Sequence, residues 1–306
     1  MEGLNNTLIN EFILMGLTDR PGLQKFLFAF IFFFYLLDLC GNLLIVFLVT
    51  KNPSLQSPMY FLLANLSFVD ILFSSVTVPK MMVGFFKKNT ISVKSCITQM
   101  YFSHVLGGTE GVLLAVMGYD RYVAICHPLQ YITIMGRSTC IQLVSASWLT
   151  GFTYSLVNTI MTSKLPFCNN QRVKHFFCDV KPVIKLACKD IHLNEIAVTT
   201  ASGFISTSTF LLTMLSYLYI ISHVLKIRYS KGGSKIFSTC SSHLALVILF
   251  YGTAMCTYLG SASETSLEKD RIAAILFTVI TPTLNPIIYT LRNSEVRNSI
   301  RKLIKR

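Results

Sequence analysis

The sequence predicts an all-α membrane protein: a seven-transmembrane-helix bundle with a short amphipathic C-terminal helix. Three observations predict it. First, the 306 residues are 52% hydrophobic and only 13% charged, about half the charge of a soluble globular domain, with a mean hydropathy of +0.56. Second, the apolar residues gather into seven runs, near 23–50, 58–79, 96–126, 139–163, 194–225, 236–260 and 272–291. Each reaches the ~20 helical residues that cross ~30 Å of hydrocarbon. Third, loops are short apart from 164–193, and no Pro/Gly/Ser-rich linker divides the chain. An odd number of crossings puts the termini on opposite faces, giving a tail (1–22), a bundle (23–292) and a second tail (293–306).

The N-terminal tail is expected to be exposed, with Asn5-Asn6-Thr7 as a glycan acceptor. Asn65-Leu66-Ser67 fits the same pattern but lies inside the second span. The first run is too long for the ~7–15-residue core of a cleaved leader and reads as an uncleaved anchor. Lys and Arg divide almost evenly between the two faces. The basic tail Arg292, Arg297, Arg301, Lys302, Lys305 and Arg306 favours a cytoplasmic C-terminus and an extracellular N-terminus. The net charge of +13 therefore reads as attraction to anionic membrane lipid. Nucleic acid is excluded as a partner for want of a basic soluble domain. Val296, Ile300, Leu303 and Ile304 share one face of 294–306, an interfacial helix on the inner leaflet.

Of nine cysteines, Cys96 opens the third span, and Cys168, Cys178 and Cys188 lie in the 164–193 loop. Clustering in one aqueous compartment points to oxidised bridges, in any of three connectivities. Cys40, Cys126, Cys140, Cys240 and Cys256 read as free buried thiols.

Ionisable residues inside spans carry the functional signal, because burying charge in hydrocarbon is costly. Asp120-Arg121-Tyr122 sits at the inner end of the third span. At ~1.5 Å per residue, Asp70 lies ~18 Å and Glu110 ~24 Å from their cytoplasmic ends, and helix tilt can level them. Two carboxylates in one dry site require either a proton or a cation between them. Asn42 and Asn285 complete the cage, so the candidate metal site is a sodium site of Asp70, Glu110, Asn42 and Asn285. The plain alternative is a fixed hydrogen-bonded cluster that locks packing. Asp38, one turn before Asn42, either faces water or joins the cluster. Pro286 removes a backbone hydrogen bond and supplies a bend.

The string Met117-Gly-Tyr-Asp-Arg-Tyr-Val-Ala-Ile-Cys126, continued by His127-Pro128-Leu129, resembles the MAYDRYVAICHPL hallmark of the odorant receptor family of rhodopsin-like G-protein-coupled receptors. The resemblance runs along nearly the whole chain. It takes in Gly41-Asn42, Leu55-Gln-Ser-Pro-Met-Tyr-Phe-Leu-Leu63, Leu66-Ser67 with Asp70, and Ser216-Tyr217. It continues through Lys235-Ile-Phe-Ser-Thr-Cys-Ser-Ser-His243, Phe250-Tyr251-Gly252, Pro282-Thr-Leu-Asn-Pro-Ile-Ile-Tyr289 and Leu291-Arg-Asn293. Gln56, Ser57 and Gly118 depart from the commoner His, Thr and Ala. The long cysteine-bearing loop and short N-terminus resemble the larger, terrestrial-type class.

The resemblance implies bridges Cys96–Cys178 and Cys168–Cys188. It implies a switch of Asp120, Arg121, Tyr122, Tyr217, His243, Asn285, Pro286 and Tyr289. In it Arg121 pairs with Asp120 at rest, near Ser242 and His243, and releases to receive a G protein. The partners implied are a small-molecule odorant, a stimulatory G protein that raises cAMP, and membrane lipid.

The ligand cavity is expected in the outer half of the bundle. Met100, Ser103, His104, Gly107, Gly108 and Gly111 line the third helix. They face Tyr154, Ser155 and Asn158; Ser202, Ile205 and Ser206; Tyr251, Met255 and Tyr258; and Ile275 and Thr278. A mostly apolar wall with a few placed polar groups suits a small neutral volatile.

No nucleophile–base constellation marks an enzyme, no catalytic residues are assigned, and no cofactor is expected beyond a sodium ion. A proton- or ion-coupled transporter using the buried acids is the rival, opposed by the absence of an internal repeat and by Arg121 at the inner mouth. Residues 100–108 hold no acid for an amine, and 272–291 no lysine for a light-absorbing group.

Overall fold

The computed structural model describes residues 9–18, 20–168, 171–227, 233–259, 266–292 and 294–304. Helix boundaries follow local chemistry. Pro21 and Pro58 open α1 (Pro21–Lys51) and α2 (Pro58–Val83), at the position where a missing N–H costs nothing. After strand β2 (Thr90–Ser92), Ser92 caps α3 (Val93–Cys126), its hydroxyl accepting the Ser95 N–H at 3.1 Å. Pro53 and Pro128 then turn the chain out of α1 and α3. Next come α4 (Tyr131–Ile134), α5 (Arg137–Ser163), α6 (Val180–Ile184), α7 (His192–Ile227) and α8 (Gly233–Leu259). The seventh span is compound: α9 (Ser266–Ile275), a π turn (Leu276–Ile280) and α10 (Thr281–Arg292). The last helix is α11 (Ser294–Ile304).

Among the described residues, α1, α2, α3, α7 and Arg271–Thr290 are long and apolar enough to cross a membrane. The described apolar stretch of α8 is shorter, His243–Met255. Helix α5 has the length, 27 residues, but its hydroxyls lower its hydropathy. Ser147, Thr150 and Thr153 each donate to the carbonyl four residues back at 2.8 Å, which satisfies them without water. With α5 and α8 the bundle has its seven helices. It is apolar outside and polar within: Phe26 and Phe33 of α1 and Phe204, Leu212 and Leu218 of α7 are exposed, while Asp38, Asn42, Asp70, Glu110 and Asn285 are buried.

Helix α3 is the axis, packed against α2, α5 and α7. It meets α5 so closely that a Cβ at Gly151 would fall on Thr109 Oγ1 and the Val105 carbonyl, the use small residues serve between membrane helices. Helices α1 and α10 meet where Pro286, lacking an N–H, frees the Pro282 carbonyl. Asn42 Nδ2 donates to that oxygen at 3.2 Å.

The N-terminal segment differs from the expected exposed tail. Strand β1 (Glu11–Leu14) is the middle of a three-stranded sheet, antiparallel to β2 and parallel to β3 (Arg172–Val173). Period-two alternation buries Phe12 and Leu14 against Cys96, Val173 and Cys178. Asn5 lies outside the described residues. The structure joins Cys96 to Cys178 and Cys168 to Cys188. Cys140 is buried and Cys126 half-buried, but Cys40 is exposed on α1, not buried as expected. The side chains of Cys240 and Cys256 lie outside the described residues. On α11, Val296 and Ile300 pack on the core while Arg297, Arg301 and Lys302 are exposed.

Candidate functional site: an outer cavity, a buried acid cluster and an inner lock

Three polar centres follow one another down α3. The outermost is a cavity of about 770 Å³, counting the part open to the exterior. Of the residues the sequence nominated, Ser103, His104, Gly107, Gly108, Gly111, Tyr154, Ser202, Ile205, Ser206 and Tyr251 line it. The Tyr154 and Ser202 hydroxyls lie 2.6 Å apart, and Tyr251 donates to the Gly111 carbonyl at 3.1 Å. The floor is aromatic, with Phe277 packed on Phe73 and Phe250 at ring distances of 5.4 and 5.5 Å.

Other nominated residues stand elsewhere. Met100 packs under the lid with Phe12 and Cys96, and Asn158 is buried one turn beyond Tyr154. Ser155 donates to the Tyr101 carbonyl at 2.6 Å, tying α5 to α3. Met255 is half exposed on the outer surface, because the inward stripe of α8 runs through Phe250, Tyr251 and Ala254. The side chain of Tyr258 lies outside the described residues. Ile275 packs beside Ile31 and Phe176, and Thr278 donates to the Ala274 carbonyl at 2.7 Å, whereas Ala274 and Phe277 line the cavity. Each nomination is one residue late. An α-helical face counted back seven residues from Asn285 arrives at Thr278, and the π turn inserts the residue that moves this face to Phe277.

The loop supplies cavity residues that sequence reasoning missed, Phe177 and Asp179. Gln99 fixes their segment: it accepts the Cys178 N–H at 3.0 Å and donates to the Val76 carbonyl at 2.9 Å. The signal was the bridge itself, since joining Cys178 to α3 carries its neighbours into the mouth. Beside them His175 is stacked on Phe176 and edge-on to Phe177, both at 4.5 Å. Burial lowers its pKa to about 4, opposed by Asp179.

The middle centre is the acid cluster. Asn285 Nδ2 donates to Asp70 Oδ2 at 2.7 Å and also reaches Glu110, so the two acids stand level. Asn42 Nδ2 donates to Asp38 Oδ1 at 2.6 Å, and Ser74 bonds the same carboxylate. Asp38 thus joins the cluster. Asp38 Oδ2, Asn42 Oδ1, Asp70 Oδ1 and Glu110 Oε1 are buried without a hydrogen-bond partner. Among the described residues no group of three or more His, Cys, Asp or Glu side chains is disposed to hold a metal ion.

The inner centre is a lock. Arg121 donates to Asp120 Oδ2 from Nη2 at 2.7 Å and from Nε at 3.2 Å. Asp120 Oδ1 accepts from Tyr131 OH at 2.8 Å, a partner at the start of α4 that the sequence reading missed. Burial and the Asp120 carboxylate raise the Tyr131 pKa, keeping it a donor. Tyr217 OH and His243 Nδ1 lie 2.6 Å apart, coupling α7 to α8. Tyr122 OH meets His127 Nε2 at 3.1 Å. Tyr289 is buried between the lock and the acids, with its hydroxyl unpartnered.

A family model described as olfactory receptor matches residues 30–306. Olfactory receptor 12D1 of Homo sapiens is 48% identical over 305 residues, 99% of this chain and 95% of its own. Olfactory receptor 1G1 of Gorilla gorilla gorilla is 46% identical over 305 residues, 99% of this chain and 97% of its own. Olfactory receptor 1f45 of Rattus norvegicus is 43% identical with the same coverage. With a cavity at one end of a seven-helix bundle and an arginine lock at the other, the chain belongs to the olfactory receptor family, multi-pass membrane receptors that couple to G proteins and not enzymes.

Proposed function

We propose that this receptor binds a small volatile ligand in the outer cavity and activates a stimulatory G protein, raising cAMP. The N-terminus is extracellular and the C-terminus cytoplasmic. The observation that carries the reading is the Arg121–Asp120 pair, closed by Tyr131, at the inner end of the helix whose outer half lines the cavity. A ligand that favours an arrangement in which the pair is open shifts the population toward it by its differential affinity alone. Release of Arg121 then leaves a cationic floor for a G-protein segment, flanked by Tyr217 and Tyr289.

Asp70 and Glu110 act as one cation- or proton-linked unit in this scheme. Four orphaned buried oxygens, two from carboxylates of the pair and the rest from Asp38 and Asn42, are the hard donors a monovalent cation takes. A sodium ion would neutralise the acids there, held by Asp70, Glu110, Asn42 and Asn285. The basic residues of α11 lie toward anionic lipid.

A cAMP reporter screened with a broad panel of volatiles tests the reading. Arg121→Ala is expected to lose the evoked signal at least tenfold while keeping surface expression. Full signalling by that variant removes the assigned role.

A further inference from the structure

The cavity holds an unbalanced pair of polar groups. Met100 O, an acceptor only, lies 2.9 Å from His104 Nδ1, so that nitrogen carries the proton. In the neutral ring Nε2 then presents a lone pair. It is buried without a hydrogen-bond partner, and Asp179 Oδ1, itself an acceptor, lies 3.5 Å away. Both side chains line the cavity, and both are more than nine-tenths buried, at 7% and 3% exposed. Asp179 Oδ1 is held in place by the Val180 N–H at 2.7 Å, as the cap of α6. Two fixed acceptors therefore face one another with no donor between them. Desolvated acceptors of this kind cost free energy until a donor arrives.

We infer that the His104–Asp179 pair selects ligands carrying a hydrogen-bond donor, an alcohol, phenol or ammonium head, over the matched ketone or ether. The inference rests on the reading of the outer cavity as the ligand site. The donor head sits between Nε2 and Oδ1, and the carbon skeleton runs down toward Phe250 and Phe277. A ketone places a third acceptor against two and leaves its own oxygen and Nε2 without a donor. Sites built to bond a donor reject the analogue lacking it far more strongly than an apolar pocket rejects one methylene.

The test is direct binding, so that it is independent of any G protein. Purified full-length receptor in lipid nanodiscs is titrated with hydroxyl, ammonium, ketone and methyl-ether members of the same short aliphatic and phenyl skeletons, and thermal stabilisation is read. The hydroxyl or ammonium member is expected to bind at least tenfold tighter than its ketone and ether. The two donor arms separate a neutral from a cationic head. Asp179→Asn keeps an Oδ1 to cap α6 but loses the carboxylate charge, so the preference for the donor members should fall severalfold, most for the ammonium head. His104→Phe removes one of the two acceptors and leaves Asp179, so it should lower the preference severalfold as well. Equal affinities across the wild-type series overturn the inference. So does a donor preference undiminished in both variants, a protonated His104 already paired with Asp179, or a lack of stabilisation by any donor. Donor-selective binding without cAMP would leave the inference standing and remove the coupling proposal instead.

Discussion

At its outer end the bundle is fastened by segments far apart in the chain, whereas the Arg121 lock at its inner end is closed by near neighbours. The Cys96–Cys178 bridge spans 82 residues, and Gln99 accepts the N–H of Cys178, 79 residues away. Strand β1 ties two further segments into one sheet. At the inner end Arg121 pairs with the adjacent Asp120, and Tyr131 comes from only 11 residues on. Long-range covalent closure cannot open reversibly, whereas a few charge-assisted hydrogen bonds can. On the proposed function, a ligand bound under the fixed lid does its work by moving the other end. The acid cluster between them is neither: it is fully buried yet incompletely bonded.

Breaking the outer fastening should have the largest effect. Cys96→Ser or Cys178→Ser removes a bridge worth about 2–5 kcal/mol in a small extracellular domain, and it releases Phe177 and Asp179 from the cavity mouth. Surface delivery should fall to background in both variants. Mass mapping of non-reduced peptides should find Cys96 joined to Cys178. A Cys96–Cys168 or Cys96–Cys188 peptide would refute that connectivity.

The acid cluster sharpens the comparison next. Asp70→Asn and Glu110→Gln each remove charge at nearly constant shape. Because Asn285 reaches both acids, their effects should be non-additive by about 0.5–3 kcal/mol. If a cation favours the resting arrangement, ligand potency in the wild type falls as sodium rises, by the same coupling energy that the ligand exerts on the ion. Additive variants with sodium-independent potency would leave a cluster that only locks packing.

A smaller effect is expected at the inner lock. Tyr131→Phe deletes one bond to a buried carboxylate oxygen and costs about 1–3 kcal/mol. The loss falls on the closed arrangement, so basal cAMP should rise several-fold without ligand. A basal signal equal to wild type would show that Tyr131 only supports the loop.

Most of the inner machinery was legible in the sequence because charge inside a membrane helix is conspicuous. Arg121, Asp70 and Glu110 announce themselves by their cost. The outer cavity was legible where helix period holds, as along Ser103, Gly107 and Gly111. It was illegible where backbone geometry changes the count. The π turn moved the face from Ile275 and Thr278 to Ala274 and Phe277. Phe73, Phe250 and Phe277 were missed as well, since an aromatic in an apolar helix carries no sign of which way it points. Strand β1 was missed for a different reason. Four residues, Glu11–Leu14, pair only with distant loops, and nothing local in a short tail names those partners.

The smallest effect separates slack from contact at two helical glycines, one on α3 and one on α1. Gly118 stands where the resembled motif has alanine. A Cβ there would lie 3.4 Å from Thr213 Cγ2 and 3.8 Å from His243 Cε1, ordinary packing distances. Removing a helix-interior glycine gains roughly 0.5–1 kcal/mol. Gly118→Ala should therefore leave signalling within about twofold and raise the melting temperature slightly. Gly41 is the control. Its Cβ would come within 2.8 Å of Pro286 Cγ, a ring with little freedom to yield, so Gly41→Ala should cost about 1–3 kcal/mol by overpacking. Thermal unfolding of both variants in one lipid system decides the matter. If Gly118→Ala destabilises as much as Gly41→Ala, the inner end is as tightly fitted as the α1–α10 contact, and the idea of a loosely fastened inner mouth fails.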